Sequence, residues 1–142
     1  MKKLLFISLF VFVVIISACS SANENGNTEE QTEQQEAVIT NVNVDQFSEL
    51  VTKGEGQILD VRTPEEWAEG TVEGANKINL FDDDFEAQLT KLDKDKPVYV
   101  YCKAGSRSSK AADKMEEMGF KKVYNLEGGM DAWKDAGKNV VK

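Results

Sequence analysis

The sequence predicts a single α/β domain in residues 37–142, built on a largely parallel, five-stranded sheet with helices on both faces. Apolar segments of strand length alternate in this region with segments whose apolar residues recur at helical spacing. Strands that are separated by helices usually lie parallel in one sheet. The region is long enough for one ordinary domain and too short for two.

The first predicted element is a strand with apolar residues from Val38 to Val44, and Asp45 is placed to cap the helix that follows. Gln57–Val61 indicates a second strand. Thr63 and Pro64 come next, and a capping residue before a proline is typical of a helix start. The region therefore begins with two strand–helix units.

A third short strand is predicted over Lys77–Leu80, and a helix over the segment after it. The apolar residues that share one face of this helix are Phe81, Phe85, Leu89 and Leu92. A fifth strand is predicted over Lys122–Leu126, and the glycine pair at 128 and 129 indicates a turn. The apolar positions of the last helix are Met130, Trp133 and Ala136.

The fourth predicted strand, Val98–Tyr101, is the one around which the region is organised. Its residues are all β-branched or aromatic, which favours a strand buried on both faces. It stops at Cys102, and we predict a six-residue loop over 102–107. An amphipathic helix follows and ends at Gly119.

Cys102 is the candidate nucleophile because open α/β sheets bind ligands at the carboxyl ends of their strands. The amino end of the next helix carries partial positive charge, and Lys103 and Arg107 add two formal charges. These charges favour thiolate over thiol. Gly105 allows the loop to close tightly, so that backbone N–H groups converge as in an anion site. The alternative is a buried cysteine that only ends a strand.

The N-terminus has the pattern of a secretory signal. A charged start with Lys2 and Lys3 precedes an apolar run over 4–16, and small residues lead to Cys19. We therefore assign residues 1–18 to a signal peptide and expect the domain to lie outside the cytoplasm. This leader is too short for a comfortable transmembrane helix.

The ending Ile16-Ser17-Ala18-Cys19 resembles a bacterial lipobox. The resemblance implies that Cys19 is lipidated, with acyl chains such as palmitate that anchor the protein to the bacterial cell membrane. An ordinary cleaved signal with an incidental cysteine is the alternative. Residues 19–36 then form an acidic, flexible linker, because they contain no basic and no large apolar side chain after Cys19. A partner-binding tail is the less favoured interpretation.

Composition excludes several kinds of site. The net charge is −8, and without the leader 15 basic residues oppose 25 acidic ones, which argues against nucleic acid as a partner. The chain has no histidine, so Ser-His-Asp triads, Cys-His dyads and His-ligated metals are excluded. We expect no metal and no cofactor. With Cys19 lipidated, one thiol remains and no internal disulfide can form. We expect a monomer.

Three motifs, in this order, resemble those of the rhodanese (sulfurtransferase) family. They are Asp-Val-Arg-Thr-Pro-Glu-Glu-Trp-Ala-Glu-Gly at 60–70, Val-Tyr-Val-Tyr-Cys-Lys-Ala-Gly-Ser-Arg-Ser at 98–108, and Leu-Glu-Gly-Gly-Met-Asp-Ala-Trp at 126–133. The likeness covers nearly all of residues 43–138. It implies an enzyme that takes a sulfane sulfur from a donor such as thiosulfate and passes it to a thiol or another thiophilic acceptor.

The resemblance also implies roles for individual residues. Cys102 is the nucleophile that carries the persulfide, and Arg107 orients the loop. The backbone that cradles the persulfide and the anionic donor belongs to Lys103, Ala104, Gly105, Ser106 and Arg107. Asp60 and Arg62 match a charged pair that supports the site, and a purely structural ion pair is the alternative for both. Ser108 and Ser109 are interpreted as residues that cap and solvate the helix start.

Two details bear on specificity. Where the family commonly has His-Ile-Pro-Gly-Ala, this chain has Thr-Val-Glu-Gly-Ala at 71–75, and we expect an altered, more mobile turn there. Four residues separate Cys102 from Arg107, whereas related phosphatases and arsenate reductases generally have five, which favours sulfur transfer.

Two alternatives remain open: a tethered module that senses oxidants or binds a partner through its thiol, and a structural lipoprotein with an unreactive Cys102.

Overall fold

Five parallel strands form one sheet in the computed structural model, which describes residues 38–142. The strands are β1 (Ile39–Val42), β2 (Gln57–Asp60), β3 (Asn76–Lys77), β4 (Val98–Tyr101) and β5 (Val123–Leu126), and their order across the sheet is β1-β5-β4-β2-β3. The helices are α1 (Val44–Lys53), α2 (Pro64–Ala68), α3 (Phe85–Leu89), α4 (Ser106–Glu117) and α5 (Gly129–Asp135). The predicted fold class is confirmed.

The two faces of the sheet have separate apolar cores. Successive side chains of a strand point to opposite faces, and all four residues of β4 are buried. Val98 and Val100 pack on the side of α3 and α4. Tyr99 and Tyr101 pack on the side of α1 and α5, against Phe47 and its neighbours. Because β4 is the middle strand and is covered on both sides, its carboxyl end is held rigidly.

The third strand and third helix are shorter than the sequence predicts. β3 covers Asn76–Lys77 because it is an edge strand, whose pairing with β2 ends at Asp60. Asn79 then redirects the chain, since its side-chain oxygen accepts a hydrogen bond from the Phe81 N–H at 3.1 Å. The predicted start of α3 at Phe81 is therefore wrong, and that side chain lies outside the core.

Two local boundaries also differ from the prediction. Asn43, not Asp45, caps α1: its side chain accepts from the Gln46 N–H at 3.0 Å, and the Gln46 side chain accepts from the Asn43 N–H in return. Val44 accordingly belongs to the helix rather than to the first strand. α4 begins at Ser106, so the turn between β4 and α4 covers 102–105.

The segment 71–75, which departs from the family pattern, is held at its start by hydrogen bonds. Thr71 is buried and exchanges two backbone hydrogen bonds of 2.8 Å with Val141. The Val72 N–H donates to the Tyr101 hydroxyl at 3.0 Å. Glu73 and Gly74 are exposed. The C-terminal segment therefore holds this turn against the body of the domain.

The predicted signal peptide (1–18) and the predicted lipidated linker (19–36) lie outside the described residues. Across 38–142, the structure contains no helix with the length and apolar character that crossing a bilayer requires.

Candidate active site

Cys102 directly follows β4, at the edge of the sheet where the strands end. The thiol is 1% exposed and belongs to the apolar core on the α4 side. The turn over 102–105 brings the first residues of α4 back over the thiol. Cys102 is thus a buried sulfur that faces the amino end of a 12-residue helix.

Two hydrogen-bond donors reach the sulfur within 3.5 Å. The Gly105 N–H donates to Cys102 Sγ at 3.1 Å, and the Ser108 hydroxyl lies 3.5 Å from the same atom. Gly105 has a φ of +104°, which a residue with a side chain rarely adopts. A glycine at this position therefore allows the tight turn in which its N–H reaches the sulfur.

The environment lowers the pKa of Cys102 although the thiol is buried. Burial alone raises the pKa, because a thiolate is poorly solvated inside a protein. Hydrogen bonds outweigh this effect: they come from the Ser108 hydroxyl and from the backbone N–H groups of Ser108, Gly105 and Ala104. The sulfur therefore lies in a ring of donors that prefers a negative charge at its centre.

Ser108 is a functional candidate that the sequence analysis assigned only to capping. It is fully buried, and its hydroxyl also lies 2.9 Å from the Gly105 carbonyl oxygen. A hydroxyl has one proton, so it donates either to that carbonyl or to the sulfur. The sequence feature that could have indicated this role is the position of Ser108 in the first helical turn after the cysteine loop.

The start of α5 fixes the loop from the other side. The N–H groups of Met130 and Asp131 donate to the carbonyls of Cys102 and Lys103 at 2.8 and 3.0 Å. Gly129 makes this approach possible, because a Cβ there would lie 2.5 Å from the Cys102 carbonyl oxygen. With the loop carbonyls bound outward, the loop N–H groups are left to face the sulfur.

The remaining predicted loop residues lie at the surface. Lys103, Ala104 and Ser106 are exposed. Of these, Ala104 contributes a backbone N–H to the environment of the sulfur. The loop therefore presents small or flexible side chains to solvent, while the sulfur itself is buried.

The structure places the Arg107 guanidinium against α2, where it forms two parallel hydrogen bonds of 2.7 Å with Glu66. Glu66 Oε2 also accepts from the Thr63 N–H at 3.0 Å. The hydrogen bond from Arg107 is the main reason that the pKa of Glu66 falls to about 2. Arg107 thus joins α4 to α2, and Glu66 is a second residue that the sequence analysis did not single out.

Asp60 and Arg62 form a buried pair on the neighbouring strand end. Arg62 Nη2 lies 2.7 Å from Asp60 Oδ2 and also donates to the Gly70 carbonyl at 2.8 Å. Arg62 Cζ lies 5.6 Å from the centre of the Tyr101 ring. Through these contacts Arg62 orders the turn after α2 and packs against β4. The two side chains neutralise each other's charge in the interior.

Cys19, the predicted lipidation site, lies outside the described residues. Within 38–142 the structure has no group of three or more His, Cys, Asp or Glu side chains that could hold a metal ion. Cys102 is a free thiol.

The parallel sheet and the buried cysteine at the end of its middle strand define an α/β protein with an activated thiol. The family model described as "Rhodanese-like domain" matches residues 43–136, and the chain belongs to this family.

Three relatives are similar over most of the domain. Thiosulfate sulfurtransferase GlpE of Coxiella burnetii is 40% identical over 97 residues, which are 64% of this chain and 89% of that protein. The crystal structure of a rhodanese-like domain protein from Staphylococcus aureus has a TM-score of 0.62 and 32% identity, and the match covers 72% of this chain and 99% of that one. The polysulfide-sulfur transferase homodimer from Wolinella succinogenes has a TM-score of 0.63 and 31% identity, covering 75% and 81%. The chain is an enzyme of the sulfurtransferase class.

Proposed function

We propose that the protein moves a sulfane sulfur from thiosulfate to a thiol through a persulfide on Cys102. The observation that carries this proposal is the ring of hydrogen-bond donors around a buried sulfur whose pKa lies below its ordinary value. A lowered pKa increases the fraction of thiolate, which is the nucleophilic form, without an adjacent base. The thiosulfate sulfurtransferase GlpE of Coxiella burnetii, at 40% identity, supports the choice of donor.

In the first half-reaction, the Cys102 thiolate attacks the outer sulfur of thiosulfate. A bond forms between Sγ and that sulfur, the sulfur–sulfur bond of thiosulfate breaks, and sulfite leaves with the electron pair. The persulfide then carries the negative charge close to the position that the thiolate held. The N–H groups of the loop and the amino end of α4 stabilise the incoming anion, the transition state and the product alike.

In the second half-reaction, an acceptor thiolate attacks the outer sulfur of the persulfide. The bond between this sulfur and Sγ breaks, and Sγ takes the electron pair and becomes a thiolate again. The acceptor leaves as a persulfide. Because the loop stabilises the thiolate, Cys102 is a good leaving group in this step.

The size of the loop supports sulfur rather than phosphorus or arsenic as the transferred atom. Residues 103–106 separate the cysteine from Arg107, and the Gly105 N–H already points at Sγ at 3.1 Å. A tetrahedral oxyanion that binds like a transferred phosphate needs a wider ring of donors. The Arg107 side chain, which would clamp such an anion, is bound to Glu66.

Anchoring at the outer side of the cytoplasmic membrane is the second part of the proposal. It is supported by the apolar run and by the lipobox-like ending at Cys19. Incorporation of labelled palmitate into the wild-type protein and not into Cys19→Ala would support it. Equal labelling of both proteins, or of neither, would contradict it.

Turnover tests the proposed reaction. We expect the full chain, purified in detergent, to release sulfite from thiosulfate in the presence of a thiol acceptor. Cys102→Ser should lose this activity and keep its fold by circular dichroism, because serine is nearly isosteric with cysteine. Turnover that survives in Cys102→Ser would contradict the mechanism. A folded wild-type protein without turnover would favour a thiol-sensing or binding module.

A further inference from the structure

A distinct surface lies beside the cysteine loop, around Phe81. This side chain is 67% exposed and is the one large exposed apolar side chain among residues 38–142. Its ring centre lies 5.9 Å from Arg107 Cζ, in the first turn of α4, directly after the loop. Exposed aromatic rings are typical of surfaces that contact a partner. Here the ring lies against Arg107, whose guanidinium is held by Glu66.

A groove of about 620 Å³ is lined by residues on both sides of Phe81 in the chain and by two lysines of α4. Leu80 and residues 82–87 form one wall, and Lys110 and Lys114 of α4 form the other. Lys110 comes one helical turn after Ser106, the first residue of α4. The groove therefore begins about 6 Å along the helix axis from the end of α4 that joins the cysteine loop. Phe81 does not line the groove itself, but it lies in the chain between two residues that do, Leu80 and Asp82. We call the surface formed by Phe81, Asp82, Asp83, Asp84 and Lys110 the groove face.

The groove face has an excess of negative charge. Asp82, Asp83 and Asp84 form no ion pair within 38–142, and the side-chain hydrogen bonds to Asp82 and Asp84 come from neutral amides. Lys114 is already paired with acidic side chains at 3.3 and 2.7 Å. Lys110 is therefore the only unpaired cation of the described groove walls, against three carboxylates.

We propose that the groove face binds the sulfur acceptor, and that this acceptor is a protein segment whose cysteine is flanked by basic residues. The inference rests on the proposed function. Basic side chains complement the three carboxylates, and an apolar side chain of the segment covers Phe81. The segment's thiolate attacks the outer sulfur of the Cys102 persulfide, the bond to Sγ breaks, and Sγ keeps the electron pair. A small thiol has no neighbouring side chains that could make these contacts.

The proposed acceptor site is tested by measuring single-turnover sulfur transfer from the full chain with Cys102 loaded as a persulfide. Two short peptides serve as acceptors, each with one cysteine and one leucine, flanked in one peptide by lysines and in the other by glutamates. Lysines also increase the thiolate fraction of the neighbouring cysteine, so the quantity to compare is the ratio of the two rates in wild type and in variants. We expect Asp83→Lys to lower this ratio about tenfold and Asp135→Lys, an equal charge change on α5, to leave it unchanged. Phe81→Ser should slow transfer to the lysine peptide several-fold.

The possible results distinguish a failure of the proposed sulfur transfer from a failure of the proposed acceptor site. Failure of thiosulfate to load wild-type Cys102 would overturn both the proposed function and this inference. Normal loading with the same rate ratio in wild type, Asp83→Lys and Asp135→Lys would overturn the inference alone. So would faster transfer to free cysteine than to the lysine peptide at equal thiolate concentration. Normal loading with a ratio that falls only in Asp83→Lys would support it.

Discussion

At Cys102, burial and hydrogen bonding act in opposite directions. The thiol is 1% exposed, and the loss of solvation raises its pKa. A hydrogen bond to a charged group contributes about 1.5–3 kcal/mol, and several donors converge here. Their sum exceeds the desolvation cost, so the pKa of Cys102 is lowered. Ser108 contributes through both its hydroxyl and its N–H.

Ser108→Ala should therefore raise the pKa of Cys102. Loss of the hydroxyl donor, 3.5 Å from Sγ, removes an interaction that is stronger with the thiolate than with the thiol. We expect a higher pKa for Cys102 and slower sulfur loading at neutral pH, because less thiolate is present. The pH dependence of alkylation measures it, in a Cys19→Ala background that leaves Cys102 as the one thiol.

Ser106→Ala is the matched control for this change. Ser106 lies in the same helical turn, but its side chain is exposed and has no hydrogen bond in the structure of residues 38–142. It should leave the alkylation profile unchanged. Equal profiles for Ser108→Ala and wild type would show that the backbone N–H groups alone set the pKa.

The cysteine could be predicted from the sequence more easily than its supporting residues. Cys102 follows a strongly apolar strand and precedes a glycine and a helix, so local signals indicate it. Ser108 and Glu66 act through contacts that depend on how α4 lies against β4 and α2. Nothing in the local sequence distinguishes a capping serine from one that turns inward to a sulfur, and no local signal pairs residues 66 and 107.

At the scale of the elements, two contacts hold the cysteine loop in place. Arg107 and Glu66 join α4 to α2, with their side chains 19% and 20% exposed. The first N–H groups of α5 hold the loop carbonyls. The loop is therefore fixed between two helices, and its conformation does not depend on the few residues of the turn alone.

Glu66→Gln should destabilise the fold in a pH-dependent way. The folded-state pKa of Glu66, about 2, is lower than the ordinary value of 4.5 for a glutamate carboxyl. A carboxyl with a depressed pKa stabilises the fold above its unfolded-state pKa, and this stabilisation is lost as the pH falls through the folded-state value. We expect Glu66→Gln to cost about 2–3 kcal/mol above about pH 5 and almost nothing near pH 2.

Urea unfolding at a series of pH values measures this difference. Glu69→Gln is the control, since Glu69 is 69% exposed and lies 3.8 Å from Lys134. Such an exposed pair contributes at most about 1 kcal/mol. A cost for Glu66→Gln that does not change with pH would show that the variant acts through packing and not through its charge.

Gly129→Ala should displace the loop. A Cβ at this position would lie 2.5 Å from the Cys102 carbonyl oxygen and 2.6 Å from that of Lys103. We expect a loss of about 2–4 kcal/mol of stability and markedly slower sulfur loading. Gly137→Ala has nearly the same backbone strain, with a φ of +69° against +57°, and nothing within 4 Å of its Cβ. If the two variants load sulfur equally fast, the contact between α5 and the loop is not needed for the site.

The shorter β3 and α3 show where sequence periodicity is insufficient. Phe81, Phe85, Leu89 and Leu92 share one helical spacing, yet the helix covers only Phe85–Leu89. Asn79 forms a local hydrogen bond with the Phe81 N–H, and this bond competes with helix formation. β3 is short because pairing along the edge of the sheet ends at Asp60, which is a tertiary effect.

At the scale of the whole molecule, the topology concentrates the chemistry at one edge of the sheet. The carboxyl ends of β2 and β4 meet there, so the Asp60–Arg62 pair and Cys102 lie on neighbouring strand ends. The described domain has one thiol, which is free. With Cys19 lipidated, as we propose, an acceptor thiol comes from another molecule. Within 38–142, Phe81 is the one large apolar side chain exposed to such a partner.

The most direct test of the account is the intact mass of the full chain after incubation with thiosulfate that carries a heavy sulfur isotope at its outer position. We predict the gain of one heavy sulfur atom, located on the peptide that contains Cys102, absent in Cys102→Ser and passed on to an added thiol. Cys102→Ser retains Cys19, so it also controls for reaction at the other cysteine. No gain in mass, a gain of light sulfur, or a gain that persists in Cys102→Ser would contradict the account.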